Sequence, residues 1–344
     1  AAAAAFPEEK AGRIAPGVGP TDASAVSLRT PAGETRLVYV NPRTGDVTGS
    51  LMKDEMFMRR VRDLHGNLMG GWFGSALVEL TAGWTFVLTV SGLYLWWPRG
   101  TGPSRLWGVW LPRLRAGSRT FWRDLHAVPA FWSAALLIVL LVTGMPWTGV
   151  FGGMLKSGMS AAGQSAPEAA SRRPPKFESA PPAGRTSLTL TEAAQIAADR
   201  GMRAGATVSL PRGPRGTFGF VDRGDDALSN QRFLYLDRYT GETLARADWA
   251  DVPIGARTLS GGIRLHQGEL FGWPNLVLML FGTLAAVWMS LTAAVMWWRR
   301  RPTGSAGLPS RAGQRQVPRA VVIGTFVAGA LFPLLGAALV LRWA

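Results

Sequence analysis

The sequence has 344 residues, of which 47% are hydrophobic and only 17% are charged, and its formal net charge is +15. Charged residues make up about a quarter of an average soluble domain, so this composition argues against an ordinary water-soluble protein. The chain has no cysteine, which excludes disulfides, Fe–S clusters and the covalent attachment of c-type haem.

The first element, residues 1–60, carries mixed charge and contains the stretch YVNPRTGDV at 39–47. Alternating apolar residues ahead of a Thr-Gly-acid turn predict a β-hairpin. The opening residues, AAAAAFPEEK, have neither the basic region nor the long apolar core of a signal peptide.

Four apolar runs follow, and each is long enough to cross a bilayer, which takes about 20 residues. The runs are residues 72–97, 127–150, 273–298 and 320–343. Tryptophan pairs close two of the runs and fit the aromatic belts found at membrane interfaces. With their flanks included, the predicted membrane helices are 61–98, 123–150, 263–299 and 319–343.

The positive charge is concentrated between the predicted spans. Residues 98–123 and 299–319 each hold six arginines and no acidic residue. Arginine-rich loops stay on the cytoplasmic side of a membrane, so loops 99–122 and 300–318 are predicted to be cytoplasmic. The charge therefore reflects membrane topology and argues against a nucleic-acid partner. Segment 1–60 is then exported, and we expect a further membrane helix upstream of residue 1 to carry it across.

The second exported segment, 151–262, repeats features of the first. It holds a Ser-, Pro- and Ala-rich stretch (156–186) typical of a linker, a helix in 187–202 with a capping-box pattern at Thr191, and the hairpin sequence YLDRYTGET at 235–243. The sequence thus predicts a mainly α-helical polytopic membrane protein. It would have four membrane helices in these residues, a fifth upstream, and two small exported α+β domains.

All three histidines lie in nearly the same tetrapeptide, which reads RDLH at 62–65 and 123–126 and IRLH at 263–266. His65 and His266 are each followed by Trp at the seventh position and by a Trp pair near the end of the apolar run. The two segments therefore read as copies of one helix. Three roles fit such histidines: a satisfied interfacial residue, a ligand of a mononuclear metal site, or an axial ligand of haem iron.

The histidines His65 and His266 are predicted to begin equivalent helices on the outer side, so their rings could face each other across a flat cofactor. Glycines beside both would let a planar ligand approach the backbone. Arg62 and Arg264 lie within a turn of these histidines. They could pair with haem propionates through bidentate contacts, or be solvated charges at a helix end.

The third histidine, His126, begins a helix that runs the other way, so we expect it about a membrane thickness from the outer pair. Arg123 is its candidate propionate partner, and its second ligand is left open: none, a methionine, or a residue of the upstream helix. Glu79 is the one acid inside an apolar run, 14 residues after His65 and near the same predicted helix face. It could bond the inner ligand, handle protons beside a quinone, or be a protonated carboxyl bonded to a neighbouring helix.

Several motifs together resemble the PepSY-associated transmembrane family, which is linked to bacterial iron uptake. The motifs are FWRDLHAVPAFW (121–132), LTVSGLYLWWPR (88–99), RLHQGELFGWP (264–274), SLTAAVMWWRRR (290–301) and the two Y-x-[ND]-x-x-TG-[DE] hairpins. Within the family, the chain is most similar to the haem-containing ferric-siderophore reductases of the inner membrane. The resemblance implies PepSY-like periplasmic domains at 1–60 and 151–262 and two non-covalent b-type haems. His65 and His266 would share the outer haem, and a histidine of the upstream helix would partner His126.

The function implied by the resemblance is a dihaem reductase of the inner membrane. It would pass electrons to a ferric siderophore in the periplasm and release Fe(II), with a quinol or a cytoplasmic protein as donor. No G-x-G-x-x-G follows a predicted strand, so a built-in nucleotide domain is not expected. Two alternatives are a transporter or permease component for siderophore or haem, and a non-enzymatic, membrane-anchored PepSY module that binds a peptide or protein partner.

Overall fold

A computed structural model describes residues 1–17, 19, 21–97, 109–170, 177–181, 184, 186–224, 227–302, 304–305 and 319–343. Parts of both predicted basic loops (98–108 and 306–318) and part of the predicted linker (171–176) lie outside the described residues. The chain divides into two compact units, Ala1–Leu64 with Met159–Thr258 and His65–Gly158 with Leu259–Ala344. We call them the sheet unit and the helical unit.

The elements are numbered in chain order. The helices are α1 (Ala2–Ala5), α2 (Phe57–Asn67), α3 (Gly71–Trp96), α4 (Ser118–Gly144), α5 (Val150–Ala161), α6 (Leu190–Asp199), α7 (Ile254–Gln267), α8 (Trp273–Arg300), α9 (Arg319–Leu331) and α10 (Pro333–Trp343). The strands are β1 (Lys10–Ala15), β2 (Ser24–Arg29), β3 (Thr35–Val40), β4 (Val47–Met52), β5 (Thr207–Ser209), β6 (Phe218–Asp222), β7 (Arg232–Leu236) and β8 (Thr243–Asp248).

The sheet unit is built on one antiparallel sheet with the strand order β4-β3-β2-β1-β5-β6-β7-β8. Its two halves come from the two predicted exported segments and join where β1 pairs with β5, at Arg13 with Ser209 and Ile14 with Val208. The prediction of two separate small domains is therefore corrected: the halves share one sheet. The pairing removes one exposed edge from each half, and such edges are prone to unwanted association.

The two predicted hairpins are present as β3–β4 and β7–β8, and they match in detail. Each has an irregularity in its register at the same place, after Tyr39 and after Tyr235. Asn41 accepts backbone N–H groups in the first turn, and Asp237 does so in the second. Burial opposes ionisation of Asp237, but its hydrogen bonds from backbone amides outweigh burial and lower the pKa of this carboxyl.

The predicted helix in 187–202 is α6, which packs Ala193 and Ala197 against the second half of the sheet. Its N-cap is Thr189, and not Thr191 as the sequence pattern predicted. Thr189 and Glu192 exchange side-chain and backbone hydrogen bonds in a capping box. The box satisfies two amides that the first helical turn leaves without partners.

In the described part of the helical unit, three helices are long and apolar enough to cross a membrane: Gly71–Trp96, Ser118–Trp147 and Trp273–Arg300. Helices α4 and α8 run antiparallel and pack closely at Gly282. A Cβ atom added there would lie 3.2 Å from Cδ1 of Leu140. The absence of a side chain at Gly282 therefore sets the close approach of these two helices.

The fourth predicted span, 319–343, is not one helix. It is divided into α9 and α10 at Phe332, because Pro333 has no N–H to continue the helical hydrogen bonding and its ring crowds the preceding turn. The two short helices fold back on each other at Gly329 and Gly336, where an added Cβ on Gly329 would lie 3.3 Å from the Cα of Gly336.

Each of the predicted helices 61–98 and 263–299 is also interrupted. In the first copy, α2 ends at Asn67, and the chain passes through left-handed conformations at Leu68 (φ 51°) and Met69 (φ 55°) before α3 begins. In the second copy, the break between α7 and α8 lies between Gly268 and Gly272, which also have positive φ angles. The side chain of Asn275 stabilises this break by bonding the backbone of residues 265 and 270. His65 and His266 therefore lie in the last turn of short helices, ahead of the membrane helices.

Candidate functional site

The structure brings together His65 and His266, the two histidines predicted to form a pair. Their ring centroids are 6.2 Å apart, and the ring planes are inclined by 51°. Two imidazoles that bind one metal ion from opposite sides would have centroids about 6 Å apart, given metal–nitrogen bonds of about 2 Å and roughly 1 Å from each nitrogen to its ring centroid. The observed separation therefore matches a site with one imidazole on each side of a metal ion.

The ring of His266 is held in one orientation by helix α4. Its Nδ1 lies 3.0 Å from the carbonyl oxygen of Leu140 and 3.2 Å from Oγ1 of Thr143. Gly144 leaves room for the ring, since a Cβ atom there would lie 3.1 Å from its Cε1. His266 precedes the span Trp273–Arg300, and burial together with the charge of His65 lowers its pKa. The neutral imidazole, which is the form that binds metals, is thereby favoured.

The other histidine, His126, lies at the opposite end of α4. It is 17 residues before Thr143, which corresponds to about 25 Å along a helix. Its Nδ1 lies 2.9 Å from Oγ1 of Thr292, and Trp288 donates to the carbonyl of Leu125 at 2.8 Å. One face of α8 thus fixes both the ring of His126 and the backbone beside it. His65 and His266 are too distant to be ligands at this site.

Arg123 pairs with a carboxylate of the chain, and its predicted pairing with a propionate stays a prediction. Its guanidinium donates to Asp124 from Nε at 3.1 Å and from Nη2 at 2.9 Å, and it lies over the ring of Trp96. Asp124 is fully buried and also accepts from Nε of Arg113 at 2.7 Å. A buried carboxylate needs such charged partners. Asp124 therefore fastens the start of α4 to the chain segment before it.

Arg62 and Arg264 remain close to the paired histidines along the chain. Arg62 precedes His65 in the last turn of α2, and Arg264 precedes His266 in the last turn of α7. Their pairing with propionates stays a prediction.

Glu79 is 1% exposed and serves the neighbouring helix α5. Its carboxylate accepts the backbone N–H groups of Val150 and Phe151, each at 3.0 Å, and Ser75 accepts that of Gly149 at 3.2 Å. Of the roles considered from the sequence, bonding to a neighbouring helix describes these contacts. The helix-face argument that linked Glu79 to His65 was wrong, because the helix breaks between the two residues. Glu79 instead caps the amino end of α5, where the first backbone N–H groups have no partner within the helix.

The family described as "PepSY-associated TM region" matches residues 1–300. The chain belongs to this PepSY-associated family. The matched range contains the whole sheet, the paired histidines and all three long helices of the described residues. A search of curated proteins finds no match for this PepSY-associated membrane protein.

Sequence reasoning missed the residues that support the histidines of this PepSY-associated protein. Thr143 and Thr292 are far along the chain from the histidines they contact, and Asp124 was read only as part of a repeated tetrapeptide. One signal was present. Polar residues within membrane helices are uncommon and are often functional, and both threonines lie in predicted spans.

Proposed function

We propose that this membrane protein is a b-type dihaem reductase of the bacterial inner membrane that reduces a ferric siderophore on the periplasmic side and releases Fe(II). The observation that carries the proposal is the 6.2 Å separation of the His65 and His266 rings. Haem, when bound, supplies one-electron transfer. The chain would supply imidazole ligands, and its hydrogen bonds orient the rings of His266 and His126.

The donor set fits haem better than a mononuclear metal site. A structural or catalytic zinc site uses three or four protein ligands. In the described residues no group of three His, Cys, Asp or Glu side chains comes together. His65 and His266 form a pair of imidazoles, and two such ligands complete a haem whose other four positions are occupied by the porphyrin. The lack of cysteine in the sequence requires that haem be held without covalent attachment.

The second site would be built on His126, with its other ligand supplied from beyond these residues or by a methionine. The arrangement at its Nδ1 repeats that of His266, which supports a ligand role for both histidines. Two haem sites at opposite ends of α4 would give electrons a path across the membrane.

The orientation of the two sites across the membrane is proposed from the charge at one end of the helical unit. Arg299 and Arg300 end α8 and Arg301 follows it, at the end where α4 begins, and Arg299 donates to Oγ of Ser118 at 2.9 Å. Positive charge marks the cytoplasmic side, so His126 would be cytoplasmic and the histidine pair periplasmic. We accordingly propose that the sheet unit is periplasmic.

The chemistry at the periplasmic side requires one electron for each Fe(III). Reduction to Fe(II) weakens the hold of the hard oxygen ligands that siderophores offer, and the metal is released. A quinol or a cytoplasmic reductase would supply the electrons. One quinol would reduce two Fe(III) and release two protons. The chain needs no general acid or nucleophile for this reaction.

The decisive experiment is a haem count on the full chain purified in detergent with its cofactor. We expect a Soret band and a sharp reduced α band, and the variant His266→Ala should lose the outer haem and keep the inner one. His126→Ala should do the reverse. A colourless protein that is folded by size-exclusion chromatography would overturn the proposal.

A second measurement separates a reductase from a transporter. The dithionite-reduced protein, freed of reductant, is mixed with a ferric hydroxamate siderophore and a ferrous chelator. We expect the chelator to colour as the haem is oxidised, and His266→Ala to lose most of this reaction. Passage of the intact ferric chelate across vesicles, with no Fe(II) formed, would favour transport instead.

A further inference from the structure

We infer that Thr143 and Thr292 are positioning residues that hold the ligand histidines of the two sites in one and the same tautomer, each from the opposite helix. The inference rests on the proposed function and deepens it, because it concerns how the chain prepares His266 and His126 to bind iron. Neither threonine is expected to touch haem.

The tautomer of His266 follows from the hydrogen bonds of Thr143. The hydroxyl of Thr143 donates to the carbonyl of Val139 at 2.6 Å, so its oxygen is left as an acceptor. The second partner of His266 Nδ1, the carbonyl of Leu140 at 3.0 Å, can only accept. Both partners therefore require a proton on Nδ1. In a neutral ring this leaves the lone pair on Nε2, where a metal ion can bind.

The same reasoning applies to His126 at the other end of α4. The hydroxyl of Thr292 donates to the carbonyl of Trp288 at 2.9 Å, four residues earlier, as Thr143 does to Val139. Its oxygen then accepts from Nδ1 of His126, 2.9 Å away. His126 is thus prepared with a proton on Nδ1 and a lone pair on Nε2.

The two arrangements are reciprocal. Helix α4 carries His126 near its start and Thr143 near its end, while Thr292 lies near the end of α8, the helix that follows His266. The two helices are antiparallel and in close contact. The end of α8 therefore provides Thr292 for His126 at the start of α4, and the end of α4 provides Thr143 for His266, which precedes the start of α8. By contrast, the ring of His65 makes no hydrogen bond in the described part of the chain, so the threonine contact distinguishes His266 within the pair.

The consequence for a bound metal is electronic as well as geometric. A hydrogen bond donated from the far ring nitrogen fixes the ring and makes the ligating nitrogen more basic. A more basic ligand stabilises the oxidised iron. Removing the threonine oxygen should therefore raise the midpoint potential of the haem at that site and weaken its binding, while the haem at the other site is unaffected.

The test uses the full haem-loaded protein and a matched set of substitutions. Thr143→Val and Thr292→Val keep the shape of the side chain and remove the acceptor, whereas Thr143→Ser and Thr292→Ser keep the hydroxyl. Thr283→Val is the control, because Thr283 lies on α8, donates to the carbonyl of Met279 at 2.8 Å and contacts no histidine. The readouts are haem retention, the midpoint potential of each haem, and the low-temperature EPR spectrum of the oxidised protein.

We expect Thr292→Val to lose affinity for the haem at His126 by about 10- to 100-fold, the range typical of partners that support a metal ligand, with an upward shift of that haem's potential. Thr143→Val should have the same kind of effect on the haem at His266 but a smaller one, because the carbonyl of Leu140 still accepts from Nδ1 of His266. The Ser variants and Thr283→Val should match the wild type. If a Val variant fails to fold, the Ala and Ser variants at the same position replace it, and the same difference is expected between them. A haem-loaded wild type whose Val or Ala variants keep its affinity, potentials and EPR spectrum would overturn the inference alone. A wild type that binds no haem would overturn the proposed function.

Discussion

Replacement of Glu79 tests whether this membrane-buried acid is a structural cap. Its carboxylate accepts the amides of Val150 and Phe151, which begin α5 and have no partner within that helix. Hydrogen bonds to a charged group contribute about 1.5–3 kcal/mol each, and an unpaired buried amide costs about 1–3 kcal/mol. For Glu79→Leu, which leaves both amides without an acceptor, we expect a loss of about 3–5 kcal/mol in the free energy of unfolding.

Two milder substitutions grade the effect. Glu79→Gln keeps one oxygen to accept an amide, so its loss should be about 1–2 kcal/mol. Ser75→Ala removes only the bond from Gly149, and the expected loss is about 1 kcal/mol. Thermal unfolding in detergent, followed by tryptophan fluorescence, should show the largest loss of stability for Glu79→Leu, a smaller loss for Glu79→Gln and the smallest for Ser75→Ala. Faster amide exchange at residues 149–151 in the same variants would locate the damage.

A role of Glu79 in proton transfer or in tuning a haem ligand would lead to different results. If the carboxyl carried protons or tuned the inner haem ligand, Glu79→Gln would retain the wild-type unfolding temperature and would change the pH dependence of a haem potential. A Glu79→Leu protein that is as stable as the wild type, with unchanged exchange at residues 149–151, would refute the capping argument.

Two further substitutions address the ends of α4. Asp124→Asn removes a buried carboxylate from two arginines that are about two-fifths exposed, so we expect a loss of about 1–3 kcal/mol in thermal unfolding. The matched change in the first RDLH stretch, Asp63→Asn, breaks only a partly exposed pair with Arg59 and should cost about 0–1 kcal/mol; equal losses would contradict this ranking. Gly144→Ala places a methyl group 3.1 Å from the His266 ring and should lower haem retention at the outer site alone, measured by pyridine haemochrome assay. Gly92→Ala, where an added Cβ meets nothing within 4 Å, is its control, and equal retention in both would show that the ring has room to move.

Much of the fold could be predicted because it is encoded in local patterns. Apolar length identified the three long membrane helices, and alternation with a Thr-Gly turn identified both hairpins. The interruption near His65 was missed because Leu68 and Met69 are ordinary apolar residues, and such residues do not signal the left-handed backbone that they adopt here. The pairing of β1 with β5 was missed for a related reason, since the strands are nearly 200 residues apart and nothing local specifies their contact.

The proximity of His65 and His266 was predicted from the sequence, and the residues that contact the histidine rings were missed. Three histidines in 344 residues, each beside a membrane span, were conspicuous in the sequence. The contacts of His266 with Thr143 and of His126 with Thr292 depend on the antiparallel alignment of α4 and α8. That alignment is set by side-chain packing across the interface, including the small surface at Gly282, and a single helix sequence does not reveal its partner's register.

The structure also changes which histidines are equivalent. His65 corresponds to His266 in the duplicated helices, and it shares the RDLH tetrapeptide with His126. Its ring nevertheless has the hydrogen bonds of neither. His266 and His126 differ in sequence context, but Nδ1 of each contacts the hydroxyl of a threonine. In both cases that hydroxyl donates to the backbone carbonyl four residues before the threonine. Equivalence of chemical role therefore follows the contact between α4 and α8. Within the described residues, hydrogen bonds fix the ring of His266, and the ring of His65 makes none. Under the proposed function, His65 would therefore be the ligand that adjusts its position while His266 stays in place.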